Sequence, residues 1–462
     1  MLTYAMDQRG DLPLYEYLYR CIRQDILNGT LTADERLPSK RALAEHLQLS
    51  VITVESAYQQ LEAEGYVYTR PKRGFFVSAV ERAPMPTVST PIPAAATPRR
   101  WRLDLRSNQV DGSRFPAAAW ARLTRQVLSE TGESFLAPVP HQGLLSLRQA
   151  IADDLRDFKG MSVSPEQIVI GAGAEYLYML LAQLLGKDAV FALEDPGYPK
   201  IRQVYTKCGA DCRPIPLDSQ GLDIDALTSS GANAVHISPS HHYPTGIVTS
   251  IARRQALLRW AEEMDGTIIE DDYDSEFRFT GRPIPTLQSI DNSGRVIYMN
   301  TFSQTISPSM RVGFMVLPPR LLECYRQELD FYACTVPALE QHVLTRFLER
   351  GYYEQHLSRM RKEYRTRRTA VLDAFRSSPF AHRITLTEQG AGLHFLLHLA
   401  THQSDDALRR KAESIGIRLG FLSEYAAHPR PEYAHTIVIN YAGLDAGHLD
   451  EAMALLNDVF AE

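Results

Sequence analysis

A chain of 462 residues, 44% of them hydrophobic, is long enough for more than one core, and a formal net charge of −6 means that any nucleic-acid surface must be local. No stretch approaches a membrane span, no apolar signal precedes the first pattern, and five scattered cysteines give no disulfide framework, so a cytoplasmic protein is expected. Cys208 and Cys212 are spaced only loosely for a metal and lack a second pair, and they read as buried or incidental thiols.

Near the start, Leu14, Leu18, Ile22 and Ile26 recur at steps of four with Cys21 beside them, which predicts an amphipathic helix ending at Gly29. Ser39 is the expected N-cap of a second helix that turns Ala42, Leu43 and Leu47 inward. After a short turn through Gln48-Leu49, Ser50 caps a third helix carrying Val54, Tyr58 and Leu61. Tyr66 to Thr69 and Phe75 to Val77 then read as two strands around the basic turn Arg70-Pro71-Lys72-Arg73-Gly74. Three short helices followed by such a wing make a winged helix-turn-helix.

Residues 10–79 resemble the GntR-type winged helix-turn-helix in Leu37-Pro38-Ser39-Lys40-Arg41-Ala42-Leu43-Ala44, in Ser50 to Val54, and in Ala57-Tyr58 through Leu61 to Glu64-Gly65-Tyr66. The resemblance implies operator DNA as partner, with the N-terminal end of the third helix in the major groove and cations and amides on phosphates. Ser39, Lys40, Arg41, Ser50, Thr53, Lys72 and Arg73 are the implied contacts. Where many relatives carry Arg-Asn after the capping serine, this chain has Val51-Ile52, which either read thymine methyl groups or simply pack.

Frequent prolines from Pro84 to Pro98 fix φ and remove backbone donors, so residues 80–100 are expected to link the module at 1–79 to a second domain at 101–462. In that domain Ile168–Ile170, Ala189–Ala192, Ala234–Ile237, Thr267–Ile269 and Val296–Met299 are short apolar runs separated by helical lengths, the pattern of buried parallel strands in an α/β domain. A long charged helix from Ser358, strands near Leu393–Leu397 and Thr436–Asn440 and a closing helix from His448 suggest a smaller α+β C-terminal subdomain.

The second domain resembles fold type I aminotransferases, enzymes dependent on pyridoxal phosphate. The motifs stand in family order: Phe115-Pro116, Gly171-Ala-Gly173-Ala174-Glu175, Glu194-Asp-Pro196-Gly197-Tyr198-Pro199, Ser238 through His241-His242-Tyr243-Pro244 to Gly246, Glu270-Asp271-Asp272-Tyr273, and Thr301 to Arg311. With the front module the whole chain resembles the MocR/GabR family of transcription regulators. Gly173 and Ala174, between a strand and a helix, offer free amides to a phosphate, and Arg311, Thr301 and Ser303 can complete that site. The resemblance implies that Tyr198 stacks on the pyridine ring, that Asp271 and Tyr273 meet its nitrogen and hydroxyl, and that Tyr243 lies beside the cofactor.

At the position of the Schiff-base lysine this chain has Gln304, and a carboxamide can neither hold an aldehyde covalently nor shuttle its proton. Non-covalent pyridoxal phosphate, at most, is therefore expected, with no catalytic residue. The acidic run at Glu270–Asp274 lacks partners spaced for a cation, and His241 and His242 read as loop-lining; no metal is expected. The strand before the closing helix reads Val438-Ile439-Asn440-Tyr441-Ala442, without the arginine that aminotransferases use for a substrate carboxylate, which leaves Lys200 and Arg202 as candidate effector contacts. A homodimeric, effector-sensing transcription regulator is the leading expectation. An aminotransferase with an accessory DNA module, and a regulator whose second domain is only a dimerisation scaffold, remain alternatives; Gln304 speaks against the enzyme.

Overall fold

In the computed structural model, residues 2–80, 99–107, 112–130, 132, 136–280, 284–388 and 390–461 are described, and nearly all of the proline-rich segment expected as a linker lies outside them. The chain forms two compact units, residues 1–97 and 98–462.

In the first unit, α1 (Leu14–Asn28) is stopped by Gly29 in the left-handed region, at φ 78°. Helix α2 (Lys40–Leu47) starts where the Ser39 side chain accepts from the Ala42 amide at 3.2 Å, and α3 (Val51–Ala63) where Ser50 Oγ accepts from the Thr53 amide at 3.1 Å. Each cap satisfies one of the amides that a helix start leaves without an intrahelical acceptor. Leu18, Ile22, Leu43, Val54, Tyr58 and Leu61 are fully buried and close the three helices around one core. The wing is β1 (Val67–Arg70) paired antiparallel with β2 (Gly74–Val77). Arg70 and Gly74, expected in the turn, pair with each other, and the turn shrinks to Pro71-Lys72-Arg73. The reversal is that tight because Lys72 at φ 60° and Gly74 at φ 104° both take left-handed backbone.

The second unit is built on an eight-stranded sheet: β3 (Ile168–Gly171), β4 (Val190–Asp195), β5 (Asp211–Asp218), β6 (Gly221–Leu222), β7 (Ala234–Ile237), β8 (Thr267–Asp271), β9 (Val296–Thr301) and β10 (Gly313–Val316), in the order β3-β10-β9-β8-β7-β4-β5-β6. Strands β9, β8, β7, β4 and β5 run parallel, whereas β10 pairs antiparallel with both β9 and β3. The apolar run at Ile168–Ile170 is thus a strand, but its partner is antiparallel. Parallel and antiparallel central strands are equally apolar when both faces are covered, so composition does not tell them apart. The smaller subdomain has the sheet β11 (Ile384–Thr387), β12 (His394–Leu399) and β13 (Thr436–Asn440), antiparallel throughout. The long charged helix covers Tyr352–Arg376, six residues earlier than its expected start, and the closing helix covers Leu449–Phe460. Together they pack Tyr364, Phe375, Leu456 and Phe460 against the small sheet.

This architecture is an N-terminal winged helix-turn-helix and an α/β unit of fold type I aminotransferase-like form with a smaller α+β subdomain.

Candidate functional site

A cavity of about 570 Å³ opens in the second unit at the carboxyl ends of β4, β7, β8 and β9, the place where an open parallel sheet leaves a crevice between diverging connections. Its floor is Asp271, the last residue of β8 and 5% exposed. One carboxylate oxygen accepts from the Tyr178 hydroxyl at 2.6 Å and lies 3.3 Å from His236 Nε2, while His236 Nδ1 sits 2.8 Å from the Tyr205 hydroxyl. Burial, and after it the neighbouring Asp271 charge, hold both phenols well above their ordinary pKa, so Tyr178 stays a donor to the carboxylate.

Helix α4 (Ala174–Leu185) begins at the rim, with Gly173 as its N-cap at φ 85°. A side chain at Gly173 would stand 2.8 Å from the Arg311 guanidinium, so the glycine is what lets this cation lie across the helix start. Arg311 Nη2 donates to the Ala172 carbonyl at 3.1 Å and to Glu175 Oε2 at 2.7 Å, and Lys200 meets the other Glu175 oxygen at 3.2 Å. Burial would raise the Glu175 carboxyl, but the Arg311 bond, its own amide and Lys200 hold it down to about 2. A permanent carboxylate thus sits between two cations beside the helix N-terminus, on the very groups that suit a phosphate ester.

The end of β9 and the loop after it place Thr301, Ser303 and Gln304 on the cavity wall, and the connection from β4 adds Tyr198, Lys200 and Arg202. Tyr198 and Tyr243 meet edge to face at 5.9 Å between centroids. Tyr273 is also on the wall, but its hydroxyl lies 3.3 Å from His241 Nδ1, which in turn is 2.9 Å from Asp274 Oδ2. His241, Asp274 and His394 are all buried with their polar atoms within 4.8 Å of one another, a cluster that single-residue inspection of the loop does not suggest.

Ala174, Tyr198, Tyr243, Asp271, Tyr273, Thr301, Ser303, Gln304 and Arg311 therefore share one cavity wall, with Gly173 against the Arg311 guanidinium. Lys200 and Arg202, expected toward an effector, both lie on the wall; Lys200 also pairs with Glu175, and Arg202 is exposed. Two further wall cations, Arg106 and Arg418, have no signature in the sequence. Arg106 is 3.5 Å from Glu424, and Arg418 is 3.3 Å from Asp104. Asn440, at the strand where an arginine is usual, donates at 3.1 Å to the carbonyls of both Leu105 and Arg106 and so fixes the segment that brings Arg106 in. The parallel pairing of Leu103–Asp104 with Ile417–Arg418 does the same for Arg418. No local motif announces either residue.

In the first unit, Arg41, Lys72 and Arg73 are exposed, the last two in the wing turn. Ser39 and Ser50 are the caps of α2 and α3, and Thr53 Oγ1 lies 2.8 Å from Ser50 Oγ. The ammonium of Lys40 is bound to Glu55 at 2.5 Å, which ties α2 to α3.

Comparison with known proteins gives the class first. Bacterial regulatory proteins of the gntR family match residues 14–77, and aminotransferase class I and II matches residues 102–456. The chain belongs to the MocR-like family of regulators, in which a GntR helix-turn-helix is fused to an aminotransferase class I and II domain. It is 35% identical to the uncharacterized HTH-type transcriptional regulator YdeL of Bacillus subtilis over 98% of both chains. The probable rhizopine catabolism regulatory protein MocR of Rhizobium meliloti is 32% identical, with 99% of this chain and 95% of the relative covered. The pyridoxine biosynthesis transcriptional regulator PdxR of Corynebacterium glutamicum is also 32% identical, over 92% of this chain and 91% of its own. Among solved structures, a Pyrococcus horikoshii kynurenine aminotransferase superposes with a TM-score of 0.69 over 79% of this chain and 91% of that one, at 24% identity, a likeness of fold. No helix among the described residues is long and apolar enough to cross a membrane.

Proposed function

We propose that the protein is a cytoplasmic transcription regulator whose module at 1–79 binds an operator and whose unit at 101–462, joined by the linker at 80–100, forms a homodimer and senses a vitamer or amino compound without attaching it covalently. Relatives named as regulators over nearly the full length support the first half of this reading. The observation that carries the second half is the cavity wall: Asp271, Tyr273, Thr301, Ser303 and Arg311 line the same cavity as Gln304, and the lysine on that wall, Lys200, is engaged by Glu175. Ligand binding would act on the operator by favouring one of two arrangements of the reading heads.

The residues fit pyridoxal phosphate held non-covalently. Arg311, Thr301, Ser303 and the Ala174 amide would hold its phosphate, the Gly173 amide being already engaged by the Gly171 carbonyl at 2.8 Å; Asp271 would hold its ring nitrogen, Tyr273 and Tyr243 the edge of the ring, and Tyr198 its face. Bound, the cofactor supplies an electrophilic aldehyde, for which Gln304 has no nucleophile. Glu175 would have to yield Arg311 to the phosphate, so a ligand with that group would compete with an internal carboxylate.

The test is mass analysis after borohydride treatment in the presence of pyridoxal phosphate. The native chain should carry no phosphopyridoxyl group, and Gln304→Lys should gain one, on the introduced lysine alone, that is lost again with Arg311→Ala. An adduct on Lys200 of the native chain would revive the alternative of a pyridoxal-phosphate-dependent aminotransferase-type protein with an accessory DNA-binding domain. A Gln304→Lys protein that stays unmodified would mean that the cavity is not shaped for this cofactor.

A further inference from the structure

The two residues after the cap of α3, Val51 and Ile52, either pack or face outward, and the fold decides between these. Ile52 is 74% exposed, the highest value for any large hydrophobic residue among those described, and Val51 beside it is 42% exposed. The core of the unit is filled without them, by Val54, Ala57, Tyr58 and Leu61 from the inward face of the same helix. A single exposed aliphatic residue is ordinary. Here, however, two adjacent ones occupy the first positions of the helix whose N-terminal end, in a helix-turn-helix, enters the major groove.

The other exposed groups of the unit suggest the occupant. Arg41 at the start of α2 and Lys72 and Arg73 in the wing turn are exposed cations in the same compact unit, suited to phosphates on either side of a groove. The patch is only two side chains wide, well short of the several hundred Å² expected of a protein-docking surface. Neither side chain can donate or accept a hydrogen bond, so the polar edges of bases give them nothing to read. In the major groove the apolar group that distinguishes one base from the other three is the thymine C5 methyl.

We infer that Ile52, seconded by Val51, is a specificity-determining residue that reads thymine methyl groups in the operator. This rests on the reading of the first unit as the operator-binding module. Discrimination at these positions comes from apolar burial, while Ser50 and Thr53, whose hydroxyls lie 2.8 Å apart, remain the polar part of the same helix end. Removing one buried methyl group weakens binding roughly three- to fivefold.

The experiment uses the full-length chain and duplexes that it selects from a random library. Each thymine of the selected duplex is replaced in turn by deoxyuridine, which removes the methyl and leaves base pairing and phosphates alone. The native protein should lose roughly three- to fivefold in affinity at one or two positions per half-site. Ile52→Ala should bind the unmodified duplex more weakly by about that factor and should no longer distinguish thymine from deoxyuridine there; Ile52→Val should retain part of the preference. Because the site is exposed, Ile52→Ala should fold normally, which circular dichroism checks. Equal binding of thymine and deoxyuridine duplexes by the native protein, or unchanged discrimination in Ile52→Ala, overturns the inference and leaves operator binding standing. Failure of the native chain to select any duplex overturns both.

Discussion

The two units differ in how far apart along the chain their working parts lie. In the winged module, caps, core residues and wing follow one another within residues 14–77, and the caps and the wing turn are fixed by neighbours a few positions away: Ser39 by Ala42, Ser50 by Thr53, Arg70 by Gly74. In the large unit, the cavity wall collects Arg106 and Arg418 from distant segments, and Arg311 lies across Gly173, arrangements that only the completed sheet and subdomain produce. Local rules suffice for the first and run out in the second, because the physical determinants of the cavity are long-range pairings that no window of sequence contains.

Breaking the local unit should therefore leave the assembled one intact. Ile22 is fully buried on α1, remote in sequence from the wing, and Ile22→Ala should destabilise the module by about 3 kcal/mol through lost burial and the void left behind. In chemical denaturation the transition of the module should move to lower denaturant, while ligand binding in the cavity of the folded protein stays unchanged. A single transition in which both units shift together would show that they unfold as one body and that the contrast is only apparent.

The same contrast governs what was legible. The three helices, their two serine caps and the wing follow from periodicity and cap chemistry, and Gly29 stops α1 where a left-handed glycine is needed. In the large unit the apolar runs mark strands, but β10 is as apolar as its parallel neighbours and nothing in its composition shows that it runs antiparallel, since strand direction is set by the connection; the edge strand β11 is short and only half-buried. Most residues of the cavity wall could be located because they sit in compact motifs at strand ends. Arg106 and Arg418 could not, for they reach the cavity through the Asn440 hydrogen bonds and a two-residue parallel pairing. Glu175 was visible as part of the glycine turn, but its service to both Arg311 and Lys200 depends on three separated segments.

A gentler perturbation sharpens the comparison at the wing. Lys72 and Arg73 are exposed and their contribution to binding is electrostatic, so changing both to alanine should weaken binding to every duplex alike, without altering which sequence is preferred. The slope of log K against log salt should become shallower by roughly 0.9 for each phosphate that is no longer neutralised. Fluorescence titrations at several salt concentrations measure this. Unchanged slopes would assign the wing turn no phosphate, and a changed sequence preference would make it a base reader.

A pH-dependent perturbation tests the buried side of the large unit. Glu194 Oε2 accepts from the Ser238 amide at 2.9 Å and lies 3.5 Å from His242 Nε2. Burial pushes the Glu194 carboxyl up to about 8 and the His242 imidazole down to about 3, so at neutral pH the favoured pair is a protonated acid beside a neutral ring. A carboxyl whose folded pKa stands above its unfolded value of 4.5 stabilises the fold fully only below that unfolded value, and the contribution is lost as pH rises through about 8. Glu194→Gln keeps an oxygen for the Ser238 amide but never acquires the charge. Its melting temperature relative to the native protein should therefore rise between pH 5 and pH 8.5, the window set by the two pKa values. A difference that is constant across that window would mean that Glu194 does not titrate in the folded protein, and that water or a partner not provided by its neighbours keeps the carboxylate ionised beside His242.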